Sequence, residues 1–275
     1  MTHEAATRRS IAASRLVYGA LAAVIALSFV IEFTLLFSGS AGANATDAES
    51  LSVAVRLERL VSYFTIDSNL IVLVVAILLI VRPLRDGPVW QVIWLDALLS
   101  IIVTGLVYAI VLAPLVQRTG WTLVETIGFH YVSPWLTLAA WLVFGPRQQL
   151  RWSTLAWVFV WPVAWLVYTF VHGALRGWYP YPFLDVTRLG YGPAIRNSLL
   201  VLVLAAVLGV IVIVLDRRLP SLLGPVRHVP ASPAPGPLGS APLGSAPLGS
   251  APLAPDPLGS TPREPAPRRG ARVIR

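Results

Sequence analysis

The stretch that decides the fold is YFTIDSNLIVLVVAILLIV, residues Tyr63–Val81. After a short polar opening it is apolar without interruption from Leu70 to Val81, and its length matches the ~20 residues that a helix needs to cross a bilayer. A strand of a membrane barrel would alternate apolar and polar side chains, and this stretch does not. Because a chain in lipid must satisfy its own backbone hydrogen bonds, we predict a membrane-spanning helix here.

Five further apolar segments of similar length flank this one. The 275-residue chain is 56% hydrophobic and 12% charged, about half the charged share of a soluble domain. We predict an all-α polytopic membrane protein, with a six-helix transmembrane domain at 15–218 between an amino-terminal segment, 1–14, and a carboxy-terminal tail, 219–275. The six predicted spans are Leu16–Phe37, Tyr63–Val81, Val92–Ala113, Ile127–Phe144, Leu155–Val171 and Ile195–Leu215.

The basic residues predict the orientation of the spans. All 21 are arginines and the net charge is +8, but they lie in short loops and in the tail, so membrane topology explains them better than nucleic-acid binding. The opposite side has Arg118 alone in a short loop, and its other arginines share longer loops with acids. We therefore predict that both termini of this cell-membrane protein are cytoplasmic. The arginines on the predicted cytoplasmic side are Arg8, Arg9, Arg15, Arg82, Arg85, Arg147, Arg151, Arg217 and Arg218.

The amino terminus leaves one alternative open. Two arginines, an apolar stretch and the small-residue run Ser38–Ala45 resemble a secretory signal peptide that is cleaved after Ala43 or Ala45. The apolar stretch is longer than the usual 7–15 residues of such a peptide. We therefore interpret it as the first span.

The tail beyond Arg218 has a different composition. Proline recurs at every fifth residue from Pro237 to Pro267, in drifting copies of Pro-Leu-Gly-Ser-Ala. This segment has no aromatic residue and too few β-branched residues to build a core, and its prolines interrupt helices and sheets. We predict that the tail is disordered.

Polar side chains within the spans are the candidate functional residues, because ionisable groups in lipid cost ~2.5–3.5 kcal/mol each on insertion scales. With the predicted topology, most of them fall at a similar depth in the outer leaflet and can face one cavity. Asp96 is separate, in the inner half of the third span, where we expect it to pair with Arg82 or Arg85. The outer-leaflet group consists of Glu32, Thr65, Asp67, Asn69, Tyr108, His130, His172 and Asn197.

Two of these residues fit a nucleophile and its base. Thr65 shares a helix face with Ser68 and Asn69, and His130 begins a similar stripe on the fourth span. A histidine that faces a threonine can activate the hydroxyl, which is otherwise a weak nucleophile. The alternative is structural, since Ser, Thr, Asn and His also hydrogen-bond between membrane helices.

Four phrases resemble a known family: Tyr63–Leu70 (YFTIDSNL), His130–Pro134 (HYVSP), Phe144–Arg147 (FGPR) and Trp178–Asp185 (WYPYPFLD). They are similar to the bacterial proline-rich six-transmembrane family, which is distantly related to the androgen-induced transmembrane hydrolases of animals. The resemblance runs from about Arg15 to Arg218. It implies a threonine hydrolase acting on fatty-acid esters, with Thr65 as nucleophile and His130 as general base.

Two functions are therefore compatible with the sequence. The first is an intramembrane lipid-ester hydrolase in which Asn69 or Asn197 donates a hydrogen bond to the oxyanion and the other polar residues bind substrate. The second is a protein that binds or transports a small hydrophobic ligand, although no internal repeat is visible. We expect membrane lipid as a partner and no cofactor. A metal site from His130, His172, Glu32 and Asp67 is a third alternative that no ligand spacing supports.

Overall fold

The computed structural model describes residues 3–39, 51–145, 147 and 150–223. The sites suggested for signal cleavage and the tail from residue 224 lie outside these residues. Ten α-helices are present in the described part, together with two π-helical turns, Tyr108–Leu112 and Gly128–Val132, and two 3-10 turns, Ala113–Leu115 and Pro182–Leu184. The α-helices are α1 His3–Ser38, α2 Val53–Leu60, α3 Phe64–Val81, α4 Pro88–Val107, α5 Gly120–Ile127, α6 Ser133–Phe144, α7 Trp152–Val158, α8 Val160–Arg176, α9 Val186–Leu189 and α10 Tyr191–Arg218.

Six helical segments are long and apolar enough to cross a membrane, which confirms the predicted fold class and a multi-pass integral membrane protein. Each segment is longer than the apolar stretch predicted from the sequence, or close to it in length. The reason is that a helix continues into the headgroup region, where polar side chains are tolerated. The spans, numbered one to six below, are Arg8–Ser38, Phe64–Val81, Pro88–Leu115, Gly120–Phe144, Trp152–Arg176 and Tyr191–Arg218.

Two short helices outside the spans, α2 and α9, were not predicted from the sequence. Helix α2 lies between spans one and two and is capped by Ser52, whose side chain accepts a hydrogen bond from the Val55 backbone N–H. It carries Arg56 and Glu58 on a short amphipathic helix, a length that the search for bilayer-sized apolar windows does not detect. Arg56 donates to the Leu36 carbonyl at 2.6 Å, which fixes α2 against the end of span one.

Span three is the centre of the bundle. Helix α4 contacts α3, α6, α7 and α10, and Leu95, Leu98 and Ile101 on it are fully buried. Its contact with span four is close, because a Cβ added to Gly105 would lie 2.8 Å from the Cβ of Pro134. A larger residue at Gly105 would push these two spans apart.

Prolines explain the two π-helical turns. Proline has no N–H, so Pro114 and Pro134 leave the carbonyls of residues 110 and 130 without the usual i→i−4 donor. Each π turn ends two residues before its proline. Such single π turns are frequent at functional sites. In span five, Pro162 likewise follows the break between α7 and α8 at Phe159.

The end of the bundle opposite Thr65 is closed by Arg147. Its guanidinium donates to the carbonyls of Leu142 at 2.8 Å, Pro220 at 3.0 Å, Leu219 at 3.1 Å and Trp141 at 3.3 Å. These carbonyls lie at the end of span four and just beyond the end of span six, where backbone carbonyls run out of helical N–H partners, although the Trp141 carbonyl also accepts from the Gly145 N–H at 2.9 Å. Arg147 therefore joins the two helix ends.

Candidate active site

Thr65 lies in the first turn of span two, where backbone N–H groups have no partner within the helix. Its side chain is buried, with 7% of the residue exposed. The Oγ1 atom of Thr65 lies 3.4 Å from Nε2 of His130 on span four. The two residues that the sequence suggested as nucleophile and base therefore face each other directly, at the slightly long distance that is common in an unliganded site.

The second nitrogen of His130 determines what Nε2 can do. Nδ1 lies 3.2 Å from the carbonyl oxygen of Thr126. Because a carbonyl only accepts hydrogen bonds, Nδ1 must carry the proton, and Nε2 of the neutral ring then presents its lone pair toward Thr65. A neutral His130 in this tautomer is oriented to accept the hydroxyl proton of Thr65.

The two π turns place aromatic rings together beside this pair. His130 lies in one turn and Tyr108 in the other, and their rings stack with centroids 3.9 Å apart. Tyr131 packs edge-on against Tyr108 at 5.8 Å. The stacking restrains the plane of the imidazole that presents Nε2 to Thr65.

Tyr181 is the site residue that sequence reasoning missed. It lies in the segment between spans five and six, Gly177–Gly190, which we call the cover loop. Its hydroxyl accepts a hydrogen bond from the Thr65 backbone N–H at 3.1 Å and lies 3.2 Å from Thr65 Oγ1. Burial raises the pKa of Tyr181 to about 12, although its hydrogen bonds with Thr65 oppose part of that rise. The hydroxyl therefore keeps its proton at neutral pH.

Asn69 and Ser68 complete the polar cluster on span two. The Asn69 amide donates to the carbonyls of Thr65 at 2.9 Å and Phe129 at 3.3 Å, so it links spans two and four. Ser68 hydrogen-bonds to Thr104 of span three at 3.0 Å. Asp67 is half-buried, and its negative charge contributes to the raised pKa of Tyr181.

Three predicted site residues belong to other clusters. His172 hydrogen-bonds to Glu58 at 2.7 Å, and Arg176 donates to the same carboxylate oxygen at 2.9 Å. Asn197 donates to the Phe183 carbonyl at 2.9 Å and so holds the cover loop on span six. Glu32 hydrogen-bonds to Glu125 on span four. All three lie at the Thr65 end of the bundle, where the His172 ring also stacks on Tyr168 with centroids 5.2 Å apart.

Asp96 has neither of the partners expected from the sequence. Its carboxylate accepts a hydrogen bond from Ser100 at 3.3 Å, and neither Arg82 nor Arg85 is among its described ion-pair partners. Arg85 lies over the Trp90 ring instead, 5.1 Å from its centroid.

A narrow apolar cavity begins at Thr65. Its volume is about 80 Å³, and it passes between spans two, three, five and six. Thr65 and Tyr181 line one end, and Ser100 and Asp96 line the other. Between them the wall is apolar, formed by residues such as Leu99, Val103 and Trp165.

The described residues contain no group of three His, Cys, Asp or Glu side chains close enough to hold a metal ion. Comparisons of the chain with protein-family models, with curated proteins and with solved structures find no match.

Proposed function

We propose that this protein is an intramembrane hydrolase of lipid esters, with Thr65 as nucleophile and His130 as general base. The observation that carries the proposal is the contact of Thr65 Oγ1 with His130 Nε2 at 3.4 Å, in the tautomer fixed by the Thr126 carbonyl. The resemblance to the proline-rich six-transmembrane family points to the same pair.

The reaction follows from this geometry. Thr65 Oγ1 attacks the ester carbonyl carbon while its proton passes to His130 Nε2. The tetrahedral intermediate collapses, the C–O bond to the alcohol breaks, and the protonated His130 returns the proton to the departing alkoxide. Water then attacks the acyl-threonine with His130 again as base, which releases a fatty acid and restores the hydroxyl.

The apolar cavity suits an acyl chain. Thr104 hydrogen-bonds to Ser68, one turn from Thr65, and Asp96 lies eight residues further along the same helix. At a rise of 1.5 Å per residue, the cavity extends about 12 Å past Thr104. With its carbonyl at Thr65, the first methylenes of an acyl chain would enter this narrow channel, and the channel would have to widen to admit the rest of the chain.

The proposed orientation in the membrane is based on the distribution of the arginines between the two sides. We place the protein in the cell membrane with both termini in the cytoplasm, so that Thr65 and His130 lie in the outer leaflet. A lipid ester would then reach Thr65 laterally from that leaflet. Membrane lipid is both the solvent and the substrate source in this arrangement.

The test uses the full-length protein in detergent, a fluorophosphonate probe and a 4-nitrophenyl ester of dodecanoic acid. Thr65→Ala should lose both labelling and ester cleavage, and His130→Ala should lower the rate by about 10²–10⁴-fold. Thr137→Ala is the matched control, because that hydroxyl on span four donates only to the Ser133 carbonyl at 2.7 Å.

Two results would contradict the proposal. Cleavage retained in Thr65→Ala would remove the nucleophile from the mechanism. A wild-type protein that neither reacts with the probe nor cleaves esters, yet binds the intact fatty acid, would instead be a carrier or receptor for a hydrophobic ligand.

A further inference from the structure

Ester hydrolysis by Thr65 needs hydrogen-bond donors for the oxyanion, and the side-chain amides near the site are already engaged. The Asn69 NH₂ group donates to two backbone carbonyls, those of Thr65 and Phe129. Asn197 donates to the Phe183 carbonyl. Moving either amide would break the contact that joins two spans or that holds the cover loop. A donor that needs no such movement is a better candidate.

When the Thr65 hydroxyl is hydrogen-bonded to His130 and ready to react, the donor and acceptor of each remaining hydrogen bond at Thr65 are determined. The Thr65 hydroxyl donates to His130 Nε2, so it cannot also donate to Tyr181. The Tyr181 oxygen already accepts from the Thr65 backbone N–H at 3.1 Å. The Tyr181 O–H must then donate to Thr65 Oγ1 across 3.2 Å. Its proton points at the atom that attacks the substrate.

We propose that Tyr181 is a catalytic residue whose hydroxyl donates to the oxyanion formed at Thr65, a role that rests on the proposed ester hydrolysis. As the ester carbonyl arrives beside Thr65 Oγ1, the Tyr181 O–H turns from Oγ1 to the carbonyl oxygen. No proton is transferred in this step. The Thr65 N–H continues to donate to the Tyr181 oxygen, which makes the Tyr181 O–H a stronger donor.

The surroundings of Tyr181 favour this role because they hold the hydroxyl in place before substrate binds. The residue is 8% exposed. Its ring packs against Phe183 at 5.3 Å, Tyr63 at 5.6 Å and Trp165 at 6.0 Å between centroids. A donor that is fixed in a dry site stabilises developing charge without reorganising. Tyr181 also lines the apolar cavity together with Thr65, so the hydroxyl lies where the carbonyl end of an acyl chain would bind.

The test compares Tyr181→Phe with Tyr179→Phe in the full-length protein. Both changes remove one hydroxyl from an equally buried tyrosine of the cover loop, but the Tyr179 hydroxyl hydrogen-bonds to Tyr191 and not to Thr65. The substrate is the 4-nitrophenyl ester of dodecanoic acid. A trifluoromethyl ketone with the same chain is the inhibitor, because Thr65 adds to it to form a stable oxyanion.

Tyr181→Phe should lower kcat by about 10²–10³-fold with KM nearly unchanged, the effect of removing one oxyanion donor. Its affinity for the ketone should fall by a similar factor, and Tyr179→Phe should match the wild type in both measurements. Normal kcat in Tyr181→Phe, or a loss confined to KM, would overturn the assignment while leaving Thr65 and His130 in place. A wild-type protein without esterase activity would overturn both proposals together.

Discussion

Substituting Gly173 by alanine should detach the cover loop from the bundle. Gly173 lies in span five, with the Tyr179 ring directly against it. A Cβ at this position would lie 2.1, 2.3 and 2.5 Å from three ring carbons of Tyr179, closer than any van der Waals contact, so the ring must move. Overpacking of this kind costs typically 1–3 kcal/mol. Because Pro180, the single residue between Tyr179 and Tyr181, stiffens the connection, the displacement should also separate the Tyr181 hydroxyl from Thr65.

The expected magnitude can be measured by proteolysis and by probe labelling. An energy of ~1–3 kcal/mol raises the population of the displaced loop by about 5–150-fold, so cleavage between Trp178 and Asp185 should accelerate by that factor and fluorophosphonate labelling of Thr65 should slow. Gly192→Ala is the control at the same end of the bundle, since a Cβ there meets nothing within 4 Å. If Gly173→Ala resembled Gly192→Ala in both assays, the coupling of loop to site would be refuted.

Two further predictions concern stability. Arg147→Gln should lower the free energy of unfolding by ~3–5 kcal/mol, because it leaves helix-end carbonyls without charge-assisted donors. The thermal midpoint in detergent should then fall by on the order of 10 °C. The control is Arg151→Gln, a change at an exposed arginine, which should leave the midpoint unchanged. The hydrogen bond from His172, helped by the charge of Arg176, holds the pKa of Glu58 below its ordinary value of 4.5. The stability that Glu58 contributes is therefore present above its ordinary pKa and is lost as the pH falls through the lowered pKa. The difference in thermal midpoint between the wild type and Glu58→Gln should accordingly be constant near neutrality and vanish in acid. A difference that persisted in acid would contradict this origin.

The fold was predictable from the sequence because lipid imposes a length and a composition on each span. Residues 63–81 could hardly form anything but a helix in a bilayer. Helix α2 escaped prediction because it is short and half polar. That omission had a consequence for the site, since Glu58 on α2 is the partner of His172. Depth alone had suggested that His172 faces the same cavity as Thr65.

The sequence could predict that Thr65 and His130 lie at the same depth, but not the helix rotation that turns their side chains toward each other. The sequence placed Thr65 and His130 at one level because the predicted spans two and four begin beside them, at Tyr63 and Ile127, although span four itself begins seven residues earlier, at Gly120. Tyr181 was different, because a tyrosine in a loop beside the bilayer is usually explained by the headgroup region. Its contact with Thr65 depends on the cover loop folding back over span two, and that depends on the absence of a side chain at Gly173.

The orientation of His130 depends on a proline outside the site. A π turn inserts one extra residue, which rotates the preceding part of a helix by about 100° relative to a regular α-helix. Gly128–Val132 and Tyr108–Leu112 are such turns, each followed by a proline, and they bring the rings of His130 and Tyr108 into contact. A regular helix continued backward from Ser133 would present a different face to Thr65. The 3.6-residue periodicity of the apolar residues therefore could not have indicated that His130 points at Thr65, since the rotation that aims it is produced by Pro134.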